Sequence, residues 1–277
     1  MRYTAIADNG TILMAAIKGE RVVPLVEPDR FYRDLSQWTA TELDNRPSLA
    51  LAEVKQVPAV YSGARVLCVG LNYRAHAKEG GFTPPEYPAI FGRWTRSLIA
   101  DGDAVPALDD VLDWEGELAA VVGTKLADAD AVTALAGVFG YAAFNDISAR
   151  TFQRHTHQWT PGKNMDCSGV FGSVVTADEV GDPANGLLLE TRLNGRAMQS
   201  ARTSDMIFSV GDILAYLSRI MTLYPGDIIV TGTPEGVGYA RTPPILMKPG
   251  DTIAVSIDRV GSISNPIVSA SERRALT

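Results

Sequence analysis

The chain has 277 residues, 46% of them hydrophobic and 21% charged, enough to bury a substantial core in one large domain or in a large and a small one. A formal net charge of −7 argues against nucleic acid as a partner, since phosphate binding needs clustered positive charge; an anionic substrate has to be drawn in by local cations. The two cysteines, Cys68 and Cys167, stand alone without CxxC spacing, which excludes a disulfide framework or a zinc cluster. No apolar run approaches the roughly eighteen residues of a membrane span, and no apolar leader follows Met1, so no membrane partner and a cytoplasmic setting are expected.

Residues 1–26 read as strands joined by a tight Asn9-Gly10 turn, a strong hairpin signal. Residues 28–56 are richer in helix formers, and Val57-Pro58-Ala59 reads as a connector. We expect a small amino-terminal α+β domain over 1–62 and a second domain over 63–277. From Arg65 onward the chain turns to short β-type runs, at 65–70, 119–123, 172–176 and 186–192, punctuated by Gly and Pro. One helix interrupts them: Ser209 and Asp212 form a capping box, with Ile213, Leu214, Leu217, Ile220 and Met221 at helical spacing as a core stripe. Pro225-Gly226-Asp227 and Pro249-Gly250-Asp251 fit type II turns and suggest two related hairpins. The expected class is α+β and β-dominated, with helices packed outside, not an alternating βαβ chain.

The chemistry concentrates in Asp113-Trp114-Glu115-Gly116-Glu117. In a strand, alternate residues share a face, so three carboxylates would line one side, with Trp114, Leu118, Ala120 and Val122 on the other. Alone, that pattern also describes the wet face of an antiparallel sheet. Gly116 counts slightly against that face, because a strand glycine often marks close approach by a ligand or another backbone, and the rest of the chain counts for more. Asp146 follows in Asn145-Asp146-Ile-Ser-Ala-Arg150; gathered carboxylates of this kind suit Mg²⁺, Mn²⁺ or Ca²⁺ and leave open positions for a chelating 2-oxo acid.

Other segments supply possible partners. His76 and Glu79, three apart, face each other if Gly70–Glu79 ends in a helix; they form either a surface pair or a water-activating one. Gly80-Gly81-Phe82-Thr-Pro-Pro then reads as a lid loop. Lys163, in Gly162-Lys163-Asn164, lacks P-loop spacing; it forms either a partner to the carboxylates that polarises a substrate oxygen or an ordinary surface salt bridge. Thr233, in Gly232-Thr233-Pro234-Glu235-Gly236, sits in a loop able to present a hydroxyl and amides to an anion. His155 and His157 form an HxH pair with no third nitrogen ligand apparent beyond His76.

Taken in order, these segments resemble the fumarylacetoacetate hydrolase family over roughly residues 63–268. The resemblance implies a mixed β-sandwich roll behind a small amino-terminal domain, and a homodimer. It implies that Glu115, Glu117 and Asp146 bind Mg²⁺ or Mn²⁺, and that Arg150 and Gln153 hold the oxo-acid end of the substrate. Lys163 would lie beside the metal, Thr233 and Tyr73 at the substrate, and His76 with Glu79 would activate water. The implied reaction is hydrolysis of a carbon–carbon bond in an acylpyruvate-like 1,3-diketo acid. A decarboxylase or isomerase of oxaloacetate or of a 2-hydroxyhepta-2,4-diene-1,7-dioate-type diacid in aromatic catabolism is the alternative. A non-catalytic protein that binds the metal or oxo acid is a third. The stretch 150–163, with His155, His157 and Gln158, departs from the family pattern, as does the proline-poor 167–173; both bear on the substrate.

Overall fold

The computed structural model describes residues 1–38, 43, 46–81 and 83–276. Its frame is a thirteen-stranded mixed sheet whose main path runs 49–50, 21–24, 11–18, 2–8, 174–176, 138–146, 116–122, 228–230, 66–70 and 89–93. A second, five-stranded sheet takes the order 196–202, 188–193, 252–257, 261–268 and 105–106. Parallel pairs occur among antiparallel ones: Ile228–Val230 runs parallel to Val66–Gly70 and antiparallel to Gly116–Val122. The β-dominated class with peripheral helices is therefore observed. Among the described residues no helix is long and apolar enough to cross a membrane.

Every residue of Gly116–Val122 is buried, because both faces of this strand are covered. Leu118, Ala120 and Val122 pack with Leu189, Val255 and Ile257 of the five-stranded sheet. Ala119 and Val121 pack the other way, with Tyr3, Phe31 and Phe144. A strand buried on both sides reads as a near-continuous apolar run, and this one does after Glu117.

The Asn9-Gly10 turn forms as expected: Asp8 pairs with Thr11, and both turn residues take the positive φ (47° and 81°) of a type I′ hairpin. The strand it closes, Arg2–Asp8, also pairs with Val174 and Val175, so the amino-terminal strands continue the large sheet. Within 28–56 the described helical pieces include Pro28–Arg33 and single turns at Leu35–Gln37 and Leu51–Glu53; residues 39–42 and 44–45 of that expectation lie outside the described residues.

The helix spans Val210–Ser218, with the Ser209–Asp212 box in place and Ile213, Leu214 and Leu217 buried. Ile220 departs from the expected stripe. It is 74% exposed, because the helix stops at Ser218 and the period ends with it. Both Pro-Gly-Asp turns carry glycines at positive φ (90° and 94°). In each, the aspartate accepts the amide three residues back at 2.9 Å, Tyr224 for Asp227 and Lys248 for Asp251. They do not make two related hairpins: the first feeds the central strand Ile228–Val230, the second the strand Thr252–Ile257 of the other sheet.

Candidate active site

Antiparallel pairing brings the distant acids together. Gly116 faces Asn145 and Glu117 faces Phe144, so the strands meet with Asp146 donating its amide to the Glu115 carbonyl at 2.8 Å. Asn145 secures the corner, its side-chain oxygen accepting the Glu115 amide at 3.1 Å. One carboxylate oxygen from each of Glu115, Glu117 and Asp146 lies within 4.8 Å of the others, and all three residues are buried. The wet-face alternative is thereby removed.

Three cations surround this cluster. Lys163 Nζ donates to Glu115 at 2.6 Å and to Asp146 at 2.5 Å; Arg150 donates to Glu115 at 2.5 Å. Arg93, fully buried, pairs with the other Asp146 oxygen and donates to Ser168 at 2.5 Å. Gly162 permits the approach of Lys163: a side chain there would collide with the Gln153 backbone, so the short helix Thr160–Lys163 lies directly on Arg150–Gln153.

The charges respond to this arrangement. Burial pushes the Glu115 carboxyl up, but Lys163 and Arg150 outweigh it and hold the group at about 2. Burial would weaken the Lys163 ammonium, but Asp146 and Glu115 outweigh this and raise it above its ordinary value. Glu117 goes the other way. Burial, then Asp146 and Glu115, push it well above the ordinary carboxyl range, and its one hydrogen bond among the described residues comes from the Gly232 amide at 2.5 Å. A buried set of hard oxygens with one carboxylate left short of positive charge is the donor set a divalent cation fits.

Asp113 does not belong to this set. Its carboxylate accepts from Arg150 Nε and Nη2 at 2.9 and 2.7 Å and from the Gly238 and Tyr239 amides at 2.7 and 3.1 Å. The reason is local: Leu112–Asp113 pairs with Ser148–Ala149 in its own two-stranded ribbon, so the alternation that would align Asp113 with Glu115 and Glu117 is broken before Gly116. Gly116 does mark a close approach, by the Thr191 hydroxyl and Gln199 amide of the second sheet. Gln199 accepts the Gly116 amide at 3.0 Å and donates to Thr233 Oγ1 and the Pro234 carbonyl, both at 2.8 Å. Thr233 in turn donates to the Gly116 carbonyl at 2.9 Å.

Above the cluster opens a cavity of about 790 Å³ whose lining includes His76, Glu79, Glu115, Arg150, Lys163 and Thr233. Gln153 lines it too, accepting from Arg150 at 2.9 Å. The helix Arg74–Glu79 sets His76 Nδ1 3.2 Å from one Glu79 oxygen, while the Gly236 amide donates to the other at 2.9 Å. Within the expected lid, Phe82 lies outside the described residues.

The structure does not bring Tyr73 to the cavity. Its residue bridges Met206 just before the helix, is 1% exposed, and its ring packs in the core, with no partner for its hydroxyl among the described residues. His157 lines the cavity rim beside Arg154 and Thr156. His155 faces Phe152 at 5.3 Å and lines an adjoining hollow instead; the metal-capable cluster contains no histidine. Arg93 and Gln199 are the residues that sequence reasoning missed as parts of the site. No motif or spacing in the sequence marks either of them as part of the site.

Residues 65–268 match the profile of the fumarylacetoacetate (FAA) hydrolase C-terminal family. The chain is 38% identical over 275 residues to oxaloacetate tautomerase YisK of Bacillus subtilis (strain 168), covering 94% of this chain and 90% of the relative. Among solved structures, a fumarylacetoacetate hydrolase from psychrophilic Exiguobacterium antarcticum superposes with a TM-score of 0.83 at 32% identity, covering 97% of this chain and 99% of that one. A fumarylpyruvate hydrolase from Pseudomonas aeruginosa, solved in complex with Mn²⁺ and pyruvate, superposes with a TM-score of 0.68 at 32% identity, covering 78% and 92%. The chain therefore belongs to the fumarylacetoacetate hydrolase family, and its buried acidic triad stands in the part of the sequence that the family profile spans.

Proposed function

We propose that the protein is a divalent-metal-dependent enzyme that enolises a 2-oxo acid, interconverting the keto and enol forms of an oxaloacetate-like substrate. The observation that carries this reading is the buried triad of Glu115, Glu117 and Asp146 beneath a cavity that also presents the Glu79 carboxylate. A bound Mg²⁺ or Mn²⁺, held by the triad, would supply Lewis acidity toward the carboxylate and keto oxygens of the substrate.

The chain's own residues do the rest. Lys163 adds fixed positive charge beside the oxygen that gains electron density. Glu79, its oxygens fixed by His76 and the Gly236 amide, takes the proton from the carbon next to the keto group. The electrons of that C–H bond become the carbon–carbon double bond, the proton passes to the former keto oxygen, and the reverse path returns it. The reaction is an isomerisation with no net gain or loss of atoms. The tautomerase name of the Bacillus relative supports the substrate class.

Hydrolysis of an acylpyruvate is the second reading, favoured by the same His76–Glu79 pair, which can hold and deprotonate a water molecule. The experiment follows enol-oxaloacetate loss and acylpyruvate cleavage side by side, with Mg²⁺, with Mn²⁺ and after EDTA. Accelerated enol loss that stops on chelation and returns with metal supports the proposal. Acylpyruvate cleavage without tautomerisation replaces it with the hydrolase, and full activity after chelation removes both. A homodimer in a cytoplasmic setting belongs to the same proposal; sizing in solution and fractionation test those parts.

A further inference from the structure

The cavity has a committed floor and an uncommitted rim. Arg150 is held by Asp113, Glu115 and Gln153, leaving one of its five N–H groups unassigned. Lys163 is divided between Glu115 and Asp146. Each thus keeps a single N–H, too few for a two-pronged grip on a further carboxylate unless an acid already held is released. Arg154 also lines the cavity, and among the described residues it has no carboxylate partner. Its guanidinium lies 5.0 Å above the ring of Tyr239, another lining residue, which fixes its direction without using its donors.

The backbone places this cation in relation to the floor. The Arg154 amide donates to the Arg150 carbonyl at 3.2 Å, so Arg154 caps the single turn Arg150–Gln153 and closes it. Residues four apart on a helix share a face, with Cβ atoms about 5–6 Å apart. Arg154 thus stands one turn outward from the residue that grips Glu115, a spacing on the scale of a short carbon chain.

We infer that Arg154 is a specificity-determining residue that selects dicarboxylic 2-oxo acids by pairing with the carboxylate farthest from the keto group. The inference rests on the 2-oxo-acid reading above and adds to it the chemistry of the substrate's far end. A substrate that binds with its oxo-acid end on the floor leaves its other end at the rim, where the exposed Arg154 guanidinium can grip a carboxylate through two parallel N–H···O bonds, a stronger pairing than a single-point contact. His157 lies on the same rim.

The test compares metal-loaded wild type with Arg154→Gln and Arg154→Lys. Three readouts are taken: oxaloacetate tautomerisation, tautomerisation of the monocarboxylic phenylpyruvate, and inhibition by oxalate, which offers the chelating end with no far carboxylate. For Arg154→Gln the expected result is an oxaloacetate KM raised about tenfold or more, equivalent to about 1.4 kcal/mol, with kcat within a few-fold. Phenylpyruvate KM and oxalate inhibition stay at wild-type values, and Arg154→Lys recovers part of the loss. An unchanged oxaloacetate KM in Arg154→Gln, with wild type active, overturns the inference and leaves the tautomerase reading standing. Equal losses for oxaloacetate, phenylpyruvate and oxalate also overturn it, because the effect is then on the cavity as a whole. A wild type inactive on every 2-oxo acid removes the underlying reading, and the inference falls with it.

Discussion

The floor and the rim of the same cavity are built on opposite terms. At the floor, Glu117, Asp146, Arg93 and Lys163 are buried on strands and a short helix and Glu115 in the two-residue link before Gly116, and their polar groups are heavily interconnected. At the rim, Arg154, Thr156 and His157 are exposed and sit on a connection with no regular structure of its own between two short helices. On the proposed reading the contrast divides the labour: the chemistry would rest on groups held by the fold, and the choice of substrate on a short exposed stretch outside the core.

The strongest way to break this division is at the floor. Asp146→Ala should abolish turnover, by about a thousandfold or more, and abolish metal binding measured by calorimetry. It should also destabilise the protein by about 3–5 kcal/mol in thermal melts, because Arg93 loses its carboxylate in the interior. A near-wild-type rate would show that the triad is not the metal site. Next in size is Glu79→Gln, expected to lower kcat by about 10²–10⁴ while metal affinity stays unchanged; a loss of metal affinity would place Glu79 among the ligands.

A third test uses pH. The native Glu117 carboxyl lies above its ordinary value of 4.5, so the folded metal-free protein holds a proton that the unfolded chain has already released. Stability from this group is present below that ordinary value and is lost as pH rises through the elevated native one. The melting temperature of chelated protein should therefore fall on going from about pH 5 to about pH 8, and saturating Mg²⁺ should flatten that fall. A metal-independent profile would contradict it. The smallest effect is expected from Gln199→Ala, which strips partners from the Gly116 amide and the Pro234 carbonyl and should cost about 1–3 kcal/mol with a few-fold loss of rate. Loss of activity on the scale of Asp146→Ala would assign Gln199 a direct part in the reaction.

What could be read in advance depended on whether the cause was local. The Asn9-Gly10 turn and the Ser209 cap are decided by a few adjacent residues, and both formed where expected. The Glu115–Glu117 pair was legible through strand alternation, and Asp146 through the resemblance of its segment. Asp113 was misplaced because its fate is set by pairing with Ser148 and by a loop over a hundred residues away, at Gly238. Tyr73 looked like a substrate contact beside His76, yet a bridge to Met206 turns it into the core. Arg93 and Gln199 reach the site from other elements entirely, so neither periodicity nor spacing could announce them.

The pairing of Arg2–Asp8 with Val174 and Val175 has a practical consequence for anyone trimming this protein. A fragment beginning at residue 63 would keep the whole family-matched stretch, yet it would bare the ladder groups of 174–176 together with the apolar patch that Tyr3 and Phe31 cover. Raw hydrogen-bonding edges beside greasy surface recruit other chains. Such a truncation should come out of expression as aggregate, with its acidic triad intact in sequence and lost in practice.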